Sequence, residues 1–150
     1  MSDTSVLREN MVQYQIAARG VTNARVLDAM RAVPREAFLP EALAEFAYDD
    51  NPLPIEEGQT VSQPYIVALM IAAIQPRAED RVLEIGTGSG YAAAVLSRTV
   101  GQVYTVERHV ALVDLARRRL RALGYDNIEV LHGDGSLGWP DHAPYNAAAW

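Results

Sequence analysis

Residues Val82 to Tyr91, Val-Leu-Glu-Ile-Gly-Thr-Gly-Ser-Gly-Tyr, read as a buried strand running straight into a glycine-rich turn and then a helix. Gly86 and Gly88 let the backbone turn tightly and approach a ligand closely, and Gly90 permits close packing of the helix that follows. The dinucleotide fingerprint asks for G-x-G-x-x-G. Here the third glycine comes one position early and Tyr91 stands in its place, so a pyrophosphate is the weaker reading. With acidic Glu84 behind it, the G-x-G-x-G spacing, with Thr87 and Ser89 between the glycines, better suits a ligand that has no phosphate and carries a cationic amino group. S-adenosylmethionine is such a ligand, and S-adenosylhomocysteine its product.

Two more acids follow at the ends of predicted strands. Val103-Tyr104-Thr105-Val106-Glu107 ends in a carboxylate that can accept hydrogen bonds from both hydroxyls of a ribose. After Leu131-His132, the turn Gly133-Asp134-Gly135 aims a second carboxylate at the same crevice, where it can accept from an exocyclic adenine amine. Arg108 and Gly133 flank these acids and are assigned to the same site. Singly, Glu107 or Asp134 would more often be a solvated loop acid; each supports the other. Ser62 precedes Gln63-Pro64 and an apolar helical pattern, so by local pattern it sits at or near a helix N-cap.

Other chemistry-bearing side chains read as ordinary. His109, His132 and His142 share no ligand spacing, so they are surface or loop residues and no metal is expected. Ser89 and Ser136 lie outside G-x-S-x-G, which excludes a nucleophile elbow. Arg117, Arg118, Arg119 and Arg121 spread round a helix as solvated charge. Trp139 and Trp150 read as core or cover residues.

The elements that must position these groups change character near residue 76. Before it, Leu7, Met11, Tyr14 and Ala18 fall at helical spacing over Ser5–Arg19, with Gly20 as a stop. A second helix, capped by Thr22 or Asn23, carries Val26, Leu27 and Met30 and ends by Pro34. Residues 47–63 form a loop-rich stretch with no sustained period. After residue 76, strands at Arg81–Ile85, Gln102–Val106 and Ile128–Leu131 alternate with helices near Tyr91–Thr99 and Val110–Leu123, the pattern of a parallel α/β sheet. The division is thus 1–75, helical and loop-rich, and 76–150, the cofactor-binding half, within one structural domain. The 150 residues are 49% hydrophobic and 21% charged, ordinary for a globular protein. Thirteen basic against 19 acidic residues give a formal charge of −6, which argues against nucleic acid as the main partner. With no cysteine, no membrane-length apolar run and no signal-peptide pattern, the expected compartment is the cytoplasm.

The chain strongly resembles the protein-L-isoaspartate O-methyltransferases, from about Arg8 to Tyr145. The resemblance is carried by Val33-Pro34-Arg35-Glu36-Ala37-Phe38-Leu39-Pro40, Tyr48-Asp49-Asp50, Pro52-Leu53-Pro54-Ile55, the glycine loop, and Gly133-Asp134-Gly135 with Gly138-Trp139-Pro140. The block Gly58-Gln59-Thr60-Val61-Ser62-Gln63-Pro64-Tyr65 makes it specific. It implies methyl transfer from S-adenosylmethionine to the free α-carboxylate of L-isoaspartyl residues in damaged proteins, a repair step. It also implies that Ser62 lies at the active site and that Gln59, Thr60 and Val61 border the cofactor. A substrate carboxylate is already ionised at neutral pH, so in-line attack needs no strong base. Alignment and desolvation supply most of the acceleration, with Ser62 orienting the carboxylate.

Isoaspartyl peptides and proteins are the implied partners, without nucleic acid or membrane. Family members usually continue for several strands past the point where this chain has Pro144-Tyr145-Asn146-Ala147. The expectation is a Rossmann-like methyltransferase sheet truncated after its fourth strand, Tyr145–Trp150, which lies beside the first. Its bare outer edge would invite self-association. Two rival readings stand beside this one: a non-catalytic remnant that retains cofactor binding or serves as an interaction module, and a nicotinamide-dependent dehydrogenase, which the glycine spacing disfavours.

Overall fold

The computed structural model describes residues 3–149. The first stretch is helical but not one helix: α1 (Asp3–Asn10) runs into a π-helical turn, Met11–Ile16, and a 3-10 turn, Ala17–Arg19, which Gly20 ends at φ +99°. The π turn moves the buried face. Met11, Val12 and Ile16 are in the core, whereas Leu7 and Tyr14, expected on the same stripe as Met11, are exposed. A spacing of five from Met11 to Ile16 follows the wider π turn and breaks the 3.6-residue pattern used to read the sequence.

Helix α2 (Ala24–Ala32) is capped by Asn23, whose side chain accepts from the Val26 N–H at 3.2 Å, which decides between Thr22 and Asn23. It ends because Val33, preceding Pro34, is extended at φ −96°, ψ 120°. Within the stretch expected to be loop, Leu53–Pro54 (β1) and Thr60–Val61 (β2) pair antiparallel, with Leu53 opposite Val61. Glu57 at φ +60° and Gly58 at φ +64° turn the chain between them. Strands of two residues carry no period that a sequence pattern could show.

Helix α3 (Pro64–Ile74) starts with proline in its first turn, and its N-cap is Gln63. Ser62 is therefore one residue outside the helix, exposed, and not its cap. From there the alternation holds: β3 (Arg81–Ile85), α4 (Tyr91–Ser97), β4 (Gln102–Glu107), α5 (Val110–Ala122), β5 (Ile128–His132) and β6 (Ala147–Ala149). The sheet order is β5-β4-β3-β6 with every neighbouring pair parallel, so the last strand lies beside the first, as expected. Trp150 falls outside the described residues; among those described, β6 is paired on one side only.

Alternation along the strands sorts side chains onto two faces. Val82 and Val103 join the main core with α2, α3, α4 and α5, and that core includes residues from Met11 to Val130. Leu83, Tyr104 and Val106 point the other way, into a smaller cluster with Ile85, Leu131, Trp139 and Tyr145. Trp139 meets Tyr104 edge-on at 5.4 Å between ring centroids, as a cover residue should. No helix among the described residues is long and apolar enough to cross a membrane.

Candidate functional site

Parallel strands leave a crevice at their carboxyl ends, and the chain returns to it after each of β3, β4 and β5. Gly86, Gly88 and Gly90 have φ of +91°, +55° and +92°. Such a run of left-handed residues is open only to glycine at low cost. At Gly90 a Cβ would make only ordinary contacts, 3.5 Å from Ala116 of α5 and 3.6 Å from Phe38, so it is the positive φ that calls for glycine there. The sequence reading of Gly90 as a close-packing position is not what the distances carry; the glycine answers to its left-handed backbone.

Two clefts of about 170 and 180 Å3 meet at Gly86. Together they reach the lower end of small-molecule sites, roughly 300–1,000 Å3. The first is lined by Thr60, Val61, Ser62, Val67, Met70, Thr87, Gly88, Ser89 and Ala92. The second is lined by Gln59, Ile85, Val106, Glu107, Arg108, His109 and Gly135. The β2 segment thus straddles both, with Gln59 on one side and Thr60, Val61 and Ser62 on the other.

Glu107 is buried at the end of β4. One of its oxygens accepts the Gly88 N–H and the other the His109 N–H, both at 2.9 Å. The carboxylate therefore anchors the glycine loop and the start of α5 at once, and each oxygen keeps a further lone pair. His109, read as an ordinary loop residue, lines the second cleft and is the N-cap residue of α5.

Glu84 is not in either cleft. It is 0% exposed, paired in register with Thr105 on the main-core face of the sheet, and its Oε1 accepts from the Thr105 hydroxyl at 2.6 Å. Thr105 Oγ1 lies 2.6 Å from Thr87 Oγ1, so two hydroxyls link Glu84 to the glycine loop. Thr105→Val keeps the shape and leaves Glu84 and Thr87 each one hydrogen bond short. It should cost about 1–3 kcal/mol of stability, read as a lowered denaturation midpoint.

Gly133 and Asp134 line neither cleft, although Gly135 of the same turn does. Asp134 is exposed, and its Oδ1 accepts from the Ser136 N–H and hydroxyl at 2.9 and 2.8 Å. These bonds, the backbone one first, hold its carboxyl below the ordinary pKa. It is an ionised acceptor beside the second cleft.

On the other side, the Ser62 hydroxyl is unbonded among the described residues, while its carbonyl accepts from Arg35 Nη2 at 3.0 Å. Next to it, Gln63 Nε2 donates to Asp50, which also pairs with Arg19. Arg119 corrects the reading of its run as solvated charge. It is largely shielded, and its Nη1 donates to the Ser89 carbonyl at 3.2 Å and its Nη2 to Glu56 at 3.3 Å, tying the glycine loop to the turn between β1 and β2. Burial lowers its pKa against the opposing pull of Glu56. Arg118 and Arg121 are exposed as expected; Arg117 is too, although it reaches the Val130 carbonyl. The apolar lining by Val67, Met70 and Ala92 was not found in the sequence, because helix residues facing a cleft and residues facing a core share one pattern.

The model of the family Protein-L-isoaspartate(D-aspartate) O-methyltransferase matches residues 6–149. A protein-L-isoaspartate O-methyltransferase 2 of Pelobacter propionicus is 61% identical over 93% of this chain and 62% of its own length. One from Rhodopseudomonas palustris is 62% identical over 93% of this chain and 57% of its own. A solved protein-L-isoaspartate O-methyltransferase is 35% identical with a TM-score of 0.85, covering 95% of this chain and 47% of that one. The chain spans about three fifths of the length of the curated relatives it matches.

Proposed function

The chain belongs to the protein-L-isoaspartate(D-aspartate) O-methyltransferase family, and from that premise we propose that its two clefts hold S-adenosylmethionine against the α-carboxylate of an L-isoaspartyl residue. The observation that carries this is the position of β2: Gln59 borders the Glu107 cleft while Thr60, Val61 and Ser62 border the other, with Gly86 common to both. A segment so placed can touch a nucleoside ligand and a second substrate at once.

The residues fit the cofactor. Glu107 has lone pairs left for two ribose hydroxyls, Arg108, Gly133 and Asp134 stand at the adenine side, and the open left-handed loop of Gly86, Thr87, Gly88, Ser89 and Gly90 borders the amino-acid side. When bound, S-adenosylmethionine supplies an electrophilic methyl group on a sulfonium. Ser62 donates its hydroxyl hydrogen bond to one carboxylate oxygen of the peptide and turns the other toward that methyl. Val67, Met70 and Ala92 exclude water, which strips solvation from the carboxylate and raises its nucleophilicity. No general base is needed, since the acceptor is ionised at neutral pH. Peptides and proteins carrying isoaspartyl residues are the partners this reading expects, in the cytoplasm.

Calorimetric titration with S-adenosylhomocysteine and with NAD, followed by a methylation assay on matched isoaspartyl and aspartyl peptides, tests it. Binding of S-adenosylhomocysteine but not NAD, with methyl appearing only on the isoaspartyl peptide, is expected. Binding without transfer would favour the remnant reading, and NAD binding would overturn the cofactor assignment.

A further inference from the structure

Arg35 is the one fully buried guanidinium among the described residues, at 0% exposure, and its partners are unusual. Nε donates to the Ala47 carbonyl at 2.7 Å and Nη2 to the Ser62 carbonyl at 3.0 Å. The Tyr91 ring lies against it, 4.8 Å from the guanidinium carbon. Nη1 has no hydrogen-bond partner among the described residues. Arg8, Arg19, Arg31 and Arg119 each pair with a carboxylate, respectively Glu36, Asp50, Glu9 and Glu56. Arg35 pairs with none among the described residues, although acids outnumber bases in the chain. Burial lowers its pKa, opposed by the Tyr91 and Tyr48 phenols. Arginine nevertheless remains charged in proteins.

A buried charge is ordinarily neutralised, because leaving it so is costly. Carbonyls and a ring face solvate this one without cancelling it, so its net positive charge stands directly behind Ser62. We propose that Arg35 is a positioning residue for the substrate: it fixes the Ser62 backbone at the cleft wall, and its uncancelled charge makes the space at the Ser62 hydroxyl selective for an anionic carboxylate. The proposal rests on the reading of Ser62 as the substrate-side residue. It adds what that reading lacks, since a hydroxyl, which can donate to a carboxamide oxygen or accept from its NH2 group, discriminates only weakly against it.

The test uses binding of a labelled isoaspartyl peptide, and of the same peptide with its α-carboxylate replaced by a carboxamide, to protein saturated with S-adenosylhomocysteine. The wild-type chain should prefer the carboxylate by about tenfold or more. Arg35→Lys should keep that preference while weakening both peptides, because it retains the charge and loses the fork that holds Ser62. Arg35→Gln should abolish the preference while S-adenosylhomocysteine affinity stays within about twofold.

A wild-type preference that persists in Arg35→Gln would reduce Arg35 to a structural role and overturn the proposal. Should Arg35→Gln fail to fold, Arg35→Lys decides: peptide affinity falling with cofactor affinity unchanged sustains the proposal, and any other result overturns it. If the wild-type protein does not distinguish isoaspartyl from aspartyl peptide, the assignment of the substrate fails first, independently of every variant.

Discussion

Replacing Ser62 with alanine is expected to lower kcat/KM for an isoaspartyl peptide by roughly a hundredfold, the effect of losing one well-placed donor to the reacting carboxylate. S-adenosylhomocysteine affinity should remain within about twofold, since the proposed cofactor site rests on Glu107 and the glycine loop. The structure sharpens this expectation by removing the competing role. Gln63, not Ser62, occupies the N-cap of α3, and the exposed Ser62 hydroxyl bonds to nothing among the described residues. Its loss should leave the melting temperature unchanged. A parallel fall in stability and turnover would show that the hydroxyl is structural after all.

Glu107→Ala should be the most damaging change on the cofactor side. The side chain meets two backbone N–H groups from different elements, so its removal frees the glycine loop as well as deleting the proposed ribose acceptor. A loss of about 1.5–3 kcal/mol in S-adenosylhomocysteine binding is expected from the charged hydrogen bonds alone, or roughly 10- to 150-fold in Kd. Glu107→Gln, which keeps an acceptor but adds a donor beside a backbone N–H, should fall between. Calorimetry measures both, and an affinity for the alanine variant equal to wild type would take Glu107 out of the site.

Strands β3 and β4 are legible because their side chains are buried on both faces, and β5 because Gly133 follows its short apolar run. Arg81–Ile85 matches to the residue, and the next two strands extend one residue further than read. Glu107 and the glycine turn were legible for the same reason, as they sit where strands end. What sequence could not show was depth. Glu84 and Glu107 look equivalent as acids near glycines, and both share the face of Thr105, yet one is sealed behind the loop and the other lines the cleft, a difference of height: Glu84 lies within β3, whereas Glu107 is the last residue of β4. The N-terminal stripe failed where the π turn shifts the period, and Arg119 failed because its partners, Ser89 and Glu56, are 30 and 63 residues away. Ser62 is singled out only by the family blocks; its local pattern suggests a helix cap, a place that Gln63 takes.

The three side chains Glu84, Thr105 and Thr87 also have a direction. A threonine hydroxyl has a single proton, so where that of Thr105 goes to Glu84 the proton between the two hydroxyls comes from Thr87. Thr87 lines the first cleft and can meet a ligand there only with its lone pairs. A phosphate, which brings nothing but acceptors, gains no donor from this hydroxyl, whereas an ammonium group finds a ready seat. The buried acid thus sets, through two hydroxyls, the polarity that Thr87 offers the cleft.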